Sequence, residues 1–245
     1  MRCVVTGAAG FIGSHLCTAL LAAGHEVAGV DAFIPYYPRA TKERNLVHAR
    51  RDSRFAFHDI DLRADDAAPL VTVLRGAETV FHLAAMGGLL ASWTAFDGYL
   101  TCNVQATQRL LEAIRLAGGV RRLVHASTSS VYGDYVIGPE TTTPRPVSPY
   151  GITKLAGEHL VQTYDRQFDV PATVLRLFSV YGPHQRPDMG YYQFVDRLLT
   201  ERPITVYGDG TQRRGNTYVG DIVRAFLLAD ERFQRGTVYN VGGAE

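Results

Sequence analysis

Short apolar runs alternate with helix-forming stretches through most of this chain, and nothing else in it restricts the fold so strongly. Residues 2–6, 26–30, 55–58, 79–83, 123–127 and 172–177 read as short buried strands. Residues 11–23, 64–74, 103–117 and 149–168 read as the helices between them. A strand that returns through a helix to the next strand forms a parallel pair, and such crossovers are almost always right-handed. The expected architecture is α/β, a doubly wound parallel sheet with helices on both faces. After Phe178 the pattern breaks, because Pro183, Pro187, Gly190, Pro203, Gly208 and Gly210 divide the chain into short pieces. We read residues 1–177 as one large domain and residues 178–245 as a smaller region mixed with elements that return to the sheet. The strand-like run 237–241 would ordinarily lead into another helix, so that region is expected to be incomplete at its C-terminus.

Bulk properties exclude several classes. Lys and Arg number 25 against 24 Asp and Glu, a formal net charge of +1. That balance offers no basic face for nucleic acid. No apolar stretch reaches the length of a membrane span, and the start runs into a strand with no secretion signal before it. Cys3, Cys17 and Cys102 are an odd number, widely spaced, in apolar segments. This reads as reduced, buried cysteine in a cytoplasmic protein. No Cys or His pair has zinc-ligand spacing, so no metal is expected.

The run from Thr6 to Gly13 follows the first strand and opens the first helix. Gly7 permits a tight turn, Gly10 lets a pyrophosphate approach the backbone, and Gly13 lets the helix pack on the strand. The free N–H groups of Phe11 and Ile12 at the positive helix end then face the phosphates. Asp31 ends the second strand, where an acidic side chain meets ribose hydroxyls and repels a 2′-phosphate, which favours NAD over NADP. Asp59 and Ile60 end the third strand, at the place for an adenine edge. Leu83, Ala84 and Ala85 follow the fourth strand, and small side chains there let the backbone run close to a cofactor.

Tyr150 and Lys154 are four residues apart on one predicted helix, so they share a face. Ser148 is the expected N-cap and Pro149 the first helical residue. A tyrosine titrates near pH 10. An adjacent ammonium and a positively charged nicotinamide would lower that value and make the phenol a base near neutrality. Thr128, Ser129 and Ser130 end the fifth strand, and strand C-termini are where such sheets bind ligands.

Together these residues resemble the extended short-chain dehydrogenase/reductase family, in its NAD-dependent epimerase/dehydratase branch. The resemblance runs from Thr6 to Gly243 and includes His82 to Ala85, Ser127 to Gly133 and Tyr207 to Gly210. It implies a Rossmann domain over 1–177, a substrate-binding region over 178–245, bound NAD and a nucleotide-sugar substrate. It makes Thr128 the hydroxyl partner, Tyr150 the base, Lys154 its support and Arg214 the holder of the substrate diphosphate, with Tyr207 beside it. The branch's 4,6-dehydratases carry Asp-Glu where this chain has Ser129 and Ser130, so the acid and base for elimination are missing. Gly182 to Met189, and Asp31 to Tyr37 with Lys42 and Leu46, are similar to the UDP-glucuronate 4-epimerases. Ser179 stands where UDP-galactose epimerases carry asparagine. Leu90, Gly215 and Gly220 depart from the glucuronate pattern. The family often dimerises through a helix pair, which here would be 103–117 and 149–168.

The expectation is an NAD-dependent 4-epimerase acting on UDP-glucuronate/UDP-galacturonate through a transient 4-keto sugar. That intermediate is a β-keto acid, prone to lose carbon dioxide, so its carboxylate needs a clamp. Arg186 suits this by bidentate contact, helped by Ser129 and Ser130. The alternatives are a UDP-glucose/galactose 4-epimerase, a nucleotide-sugar reductase or dehydratase, and, last, a non-catalytic NAD-sensing module.

Overall fold

Strands β1 (Arg2–Thr6), β2 (Glu26–Asp31), β3 (Phe55–Asp59), β4 (Thr79–His82), β5 (Arg122–Thr128) and β6 (Ala172–Leu177) match the apolar runs of the sequence to within one residue at each end. The computed structural model describes residues 1–134, 138–206, 208–211 and 215–242. Short strands β7 (Ser179–Tyr181) and β8 (Asn216–Tyr218) pair with each other, and β9 (Val238–Val241) returns to the main sheet. That sheet runs β3-β2-β1-β4-β5-β6-β9 with every neighbouring pair parallel. This is the doubly wound order expected from alternating strands and helices, with the chain reversing its direction of travel between β1 and β4.

The strands are apolar on both sides because both sides are covered. Cys3 and Val5 of β1, Phe81 of β4 and Val124 of β5 face one layer. There they meet Leu16 and Leu20 of α1 (Phe11–Ala22). Val4, Val80 and Leu123 point the other way. Their layer holds Leu70 of α3 (Ala68–Leu74), Leu110 and Leu111 of α5 (Ala106–Ala117) and Val161 of α6 (Pro149–Phe168). Helix α2 (Arg39–Asn45) follows β2, and α4 (Phe96–Leu100) precedes α5. Helix α7 (Gly190–Leu199) follows β7, and α8 (Val219–Glu231) returns Ile222 and Phe226 to the α1 side of the core. The cysteines are free and buried, as expected, and burial raises the Cys3 thiol to about 12.

Two elements differ from expectation for physical reasons. Helix α3 starts at Ala68 instead of residue 64, because the Asp66 carboxylate accepts the Ala68 N–H at 2.9 Å. The stretch expected as one helix over 103–117 starts earlier, with α4, and passes through a π-helical turn, Thr101–Gln105. Within that turn the Asn103 amide is drawn to the Met86 backbone, accepting its N–H at 2.7 Å and donating to its carbonyl at 3.0 Å. Helix α7 has no buried residue, and Tyr191, Phe194, Val195, Leu198 and Leu199 lie exposed. Helix α6 begins as anticipated, with the Ser148 hydroxyl accepting the Gly151 N–H at 3.1 Å ahead of Pro149.

Candidate active site

A cleft of about 1240 Å³, counting its open mouth, runs along the C-terminal ends of the central strands. One end is built by the glycine run. Gly7 has φ 71° and donates its N–H to Val30 O of β2 at 2.8 Å. A Cβ on Gly7 would stand 2.8 Å from Ala84 N, and one on Gly13 would stand 2.1 Å from Gly7 O. Any side chain would therefore push α1 off the loop or the loop off β4. Gly10 caps α1 without a side-chain partner, and the first turn carries no acidic residue. The bare helix N-terminus, with Phe11 and Ile12 on the lining, fits a pyrophosphate.

Asp31 lines the same end. Its carboxylate accepts Ala9 N–H at 3.1 Å and Phe33 N–H at 2.8 Å, while burial raises its pKa against the pull of the Lys42 cation. The opposite wall is Ile60, Asp61, Leu62 and Arg63, with Leu83, Ala84 and Ala85 forming the floor between. Asp59 does not line the cleft, contrary to expectation. It ends β3 with its side chain 52% exposed and takes the Arg39 guanidinium at 3.4 Å. Past the strand end the chain turns, and the inward acidic group is Asp61, held by Arg63 at 2.7 Å.

Tyr150 and Lys154 stand together on the lining, one turn apart on α6. The Lys154 ammonium donates to Ala126 O of β5 at 2.7 Å, and Tyr150 shares a hydrogen bond with Thr128. The Thr128 hydroxyl also donates to Ser130 Oγ at 3.2 Å. Ser129 and Ser130 form the half-buried 3-10 turn after β5, next to these groups. Burial raises the Tyr150 phenol, and the Thr128 hydroxyl and then the Arg186 guanidinium partly offset this. Lys154 is brought down to about 8 by burial, with the Glu158 carboxylate opposing.

Glu158 escaped the sequence reading, although it lies four residues past Lys154 on the same helical face. It is buried with Arg176 of β6 at 2.8 Å and also receives the Ser127 hydroxyl. Arg176 continues to Tyr132 Oη at 2.7 Å. This network fixes the strand end that carries Thr128 and the Lys154 acceptor. Asn103 is a second missed residue, donating to Thr153 Oγ1 at 3.1 Å and tying the π turn to α6 beside Tyr150. Its signal was tertiary and had no local spacing.

At the far end, Arg186 lines the cleft near Gly87, Tyr36 and Tyr150. Ser179 is exposed at the start of β7 and does not line the cleft, because the chain leaves the main sheet after β6. Tyr207 and Arg214 lie outside the described residues. Among the described residues no cluster of three metal-ligating side chains occurs.

The profile of the NAD dependent epimerase/dehydratase family matches residues 3–242. The UDP-glucuronate 4-epimerase of Thermodesulfobacterium geofontis is 36% identical over 99% of this chain and 75% of its own length. The UDP-glucose 4-epimerase of Mycolicibacterium smegmatis is 38% identical over 99% of this chain and 77% of its own. The crystal structure of the Bacillus cereus UDP-glucuronic acid 4-epimerase in complex with UDP-glucuronic acid and NAD superposes with a TM-score of 0.93 at 43% identity. It covers all of this chain, which spans 78% of that one. With the doubly wound sheet, the open helix end and the paired tyrosine and lysine, this match shows that the chain belongs to the NAD dependent epimerase/dehydratase family.

Proposed function

We propose that the protein inverts C4 of a UDP-sugar with NAD as its resident cofactor, and that UDP-glucuronate and UDP-galacturonate are its substrate pair. One observation carries this reading: Tyr150 and Lys154 share a cleft with the bare N-terminus of α1, and Arg186 stands at the sugar end of that same cleft. Gly7, Gly10, Phe11, Ile12 and Gly13 would hold the pyrophosphate, and Asp31 the ribose hydroxyls. Ile60, with Leu83, Ala84 and Ala85, would line the adenine and nicotinamide paths. When bound, NAD supplies a hydride acceptor that becomes the donor, and a positive ring that favours a neighbouring phenolate.

Tyr150 takes the C4 hydroxyl proton as that carbon is oxidised and returns a proton when it is reduced from its other face. Lys154, fixed on Ala126 O, holds positive charge beside the phenolate. Thr128 orients the reacting oxygen, with Ser129 and Ser130 on the sugar. Neither serine can replace the acid and base that an elimination needs. Arg186 offers a guanidinium to the C6 carboxylate. Ser179, Tyr207 and Arg214 belong to the same proposal as sugar and diphosphate contacts on the 178–245 side. The apolar side chains Leu90, Trp93, Phe96 and Ile152 are exposed beside α4 and the start of α6. They support a homodimer through the α4–α5 stretch and α6. No helix among the described residues is long and apolar enough to cross a membrane. The free, buried cysteines favour a cytoplasmic setting.

Incubation with UDP-glucuronate, with products resolved by NMR, is expected to give UDP-galacturonate and no net reduced nicotinamide. Faster turnover of UDP-glucose would favour the second reading, a UDP-glucose/galactose 4-epimerase, which the 38% identity to the Mycolicibacterium smegmatis enzyme keeps in view. Stoichiometric consumption of reduced nicotinamide would mean a reductase.

A further inference from the structure

Arg186 is aimed by its neighbours. Its Nε donates to Asp188 Oδ1 at 2.9 Å and its Nη2 to Asp188 Oδ2 at 3.0 Å. Asp188 Oδ2 also accepts the Tyr36 hydroxyl at 3.1 Å, and the guanidinium carbon lies 5.6 Å from the centre of the Tyr36 ring. The space for this arrangement comes from two glycines. A Cβ on Gly87 would stand 2.9 Å from Arg186 Nη1, and one on Gly88 would stand 2.7 Å from Tyr36 Oη. Tyr99 donates to the carbonyls of both glycines at 2.9 and 2.8 Å, and its ring meets that of Tyr150 edge-on at 6.1 Å.

A guanidinium has two edges that can each grip a carboxylate in a bidentate way: Nε with one Nη, and the two Nη groups together. Asp188 occupies the first edge. The second lies against Gly87, where a Cβ would stand 2.9 Å from Nη1 and 3.4 Å from Nη2, and Gly87 lines the cleft together with Arg186 and Tyr150. We infer that Asp188 and Tyr36 are positioning residues for Arg186, taking its Nε–Nη2 edge so that the Nη1–Nη2 edge is presented to the C6 carboxylate of the sugar. This rests on the glucuronate reading given above.

The consequence is chemical as well as geometric. Once C4 is a ketone, the C5–C6 bond can break, its electron pair entering the C4 carbonyl to form an enolate while carbon dioxide leaves. C5 then takes up a proton, giving a UDP-4-ketopentose. That loss needs the C5–C6 bond to lie parallel to the carbonyl π system. An arginine fixed along one edge holds the carboxylate in a single orientation, away from that alignment, while the sugar turns. An arginine free to swing does not.

The test uses NAD-loaded protein and UDP-glucuronate, comparing Asp188→Asn, Tyr36→Phe, Arg186→Ala and the Arg186→Ala/Asp188→Asn double variant. KM and the ratio of UDP-galacturonate to decarboxylated product are read by NMR. Asp188 is 38% exposed, so its substitution leaves the core untouched. Asp188→Asn is expected to raise KM about tenfold and to increase the decarboxylated share by a similar factor. Tyr36→Phe moves both by about twofold, since it removes one neutral donor. In the Arg186→Ala background Asp188→Asn adds nothing, because it acts through the arginine. If wild type makes UDP-galacturonate but Asp188→Asn keeps its KM and product ratio, or if its full effect persists without Arg186, the inference is overturned and the glucuronate reading stands. If wild type does not turn over UDP-glucuronate, both fall.

Discussion

At the dinucleotide end of the cleft the shape is set mostly by backbone and small side chains, the run from Gly7 to Gly13 packed against Leu83 and Ala84. At the sugar end the lining groups come from Tyr36, Gly87, Tyr150 and Arg186, four separate stretches of chain. The first end is a loop whose glycines touch backbone on every side, so its shape is set by atoms that cannot rotate away. The second is a lattice of side chains, partly exposed, in which one ion pair aims another group. The difference teaches how such a fold divides its work. A rigid backbone cradle serves a cofactor that does not change, and adjustable side chains serve a sugar that differs from one relative to the next.

Substitutions at the two ends should therefore fail in different ways. Tyr150 stands where the ends meet, and Tyr150→Phe is expected to lower kcat by about 10³ while leaving NAD content unchanged, since proton transfer contributes roughly that much. Retention of more than a tenth of wild-type kcat would remove the phenol from the reaction. At the cradle, Gly13→Ala would place a Cβ 2.1 Å from Gly7 O. Overpacking of that kind costs about 3 kcal/mol or more, so NAD content and the unfolding temperature should drop together. At the sugar end Arg186→Ala should raise KM for UDP-glucuronate about tenfold or more with the unfolding temperature unmoved. Unchanged affinity and epimerisation would end its assignment as the carboxylate clamp.

The pH profile tests the junction itself. Phenolate at Tyr150 becomes more abundant as pH rises, and burial, which holds the phenol above its ordinary value, moves that rise to higher pH. Lys154 keeps its charge below about 8 and loses it above. The rate should therefore climb with pH and turn over near that value, and Lys154→Met should abolish the turnover. Stability moves with the opposite sense of proton release. Between about 8 and the ordinary lysine value of 10.5 the unfolded chain holds a proton that folded Lys154 lacks. Lys154 therefore makes folding more favourable as pH rises through that window.

The smallest expected effect lies beneath the site. Neither ring nitrogen of buried His125 finds a hydrogen-bond partner among the described residues. Its neighbour His82, 5.1 Å away between ring centres, is bonded to Thr6 at 2.8 Å and Thr107 at 3.0 Å. A buried unsatisfied group costs about 1–3 kcal/mol, so His125→Phe should raise the unfolding temperature by a few degrees. The same change at His82 should lower it.

Legibility followed the same division. The glycine run could be read because three residues at fixed spacing meet one backbone requirement, and the structure shows each glycine where a Cβ has no room or no need. Helical spacing put Tyr150 and Lys154 on one face, and their reading as a pair rested on the glycine loop upstream and on the resemblance to the family. Asp59 ends β3 with an exposed side chain and the residues just after it, Ile60 to Arg63, line the cleft, since the sequence does not say where β3 stops and the inward wall begins. Glu158 was within reach of the same spacing argument that found Lys154. Asp188 and Tyr36 stood inside segments already singled out, yet nothing local indicated that they would meet 152 residues apart.

What the sequence determined by itself was the class of chain: a parallel sheet wound on both sides, a phosphate-binding helix end and a tyrosine–lysine pair on one helical face. Each of these follows from interactions over a few residues, where backbone geometry leaves one solution. The tertiary structure decided that Asp188 takes the Nε–Nη2 edge of Arg186, what burial does to the acidity of Tyr150 and Lys154, and how the π turn at Asn103 braces α6. These depend on side chains from distant segments and on the exclusion of water between them. Neither exists until the sheet has closed over its helices.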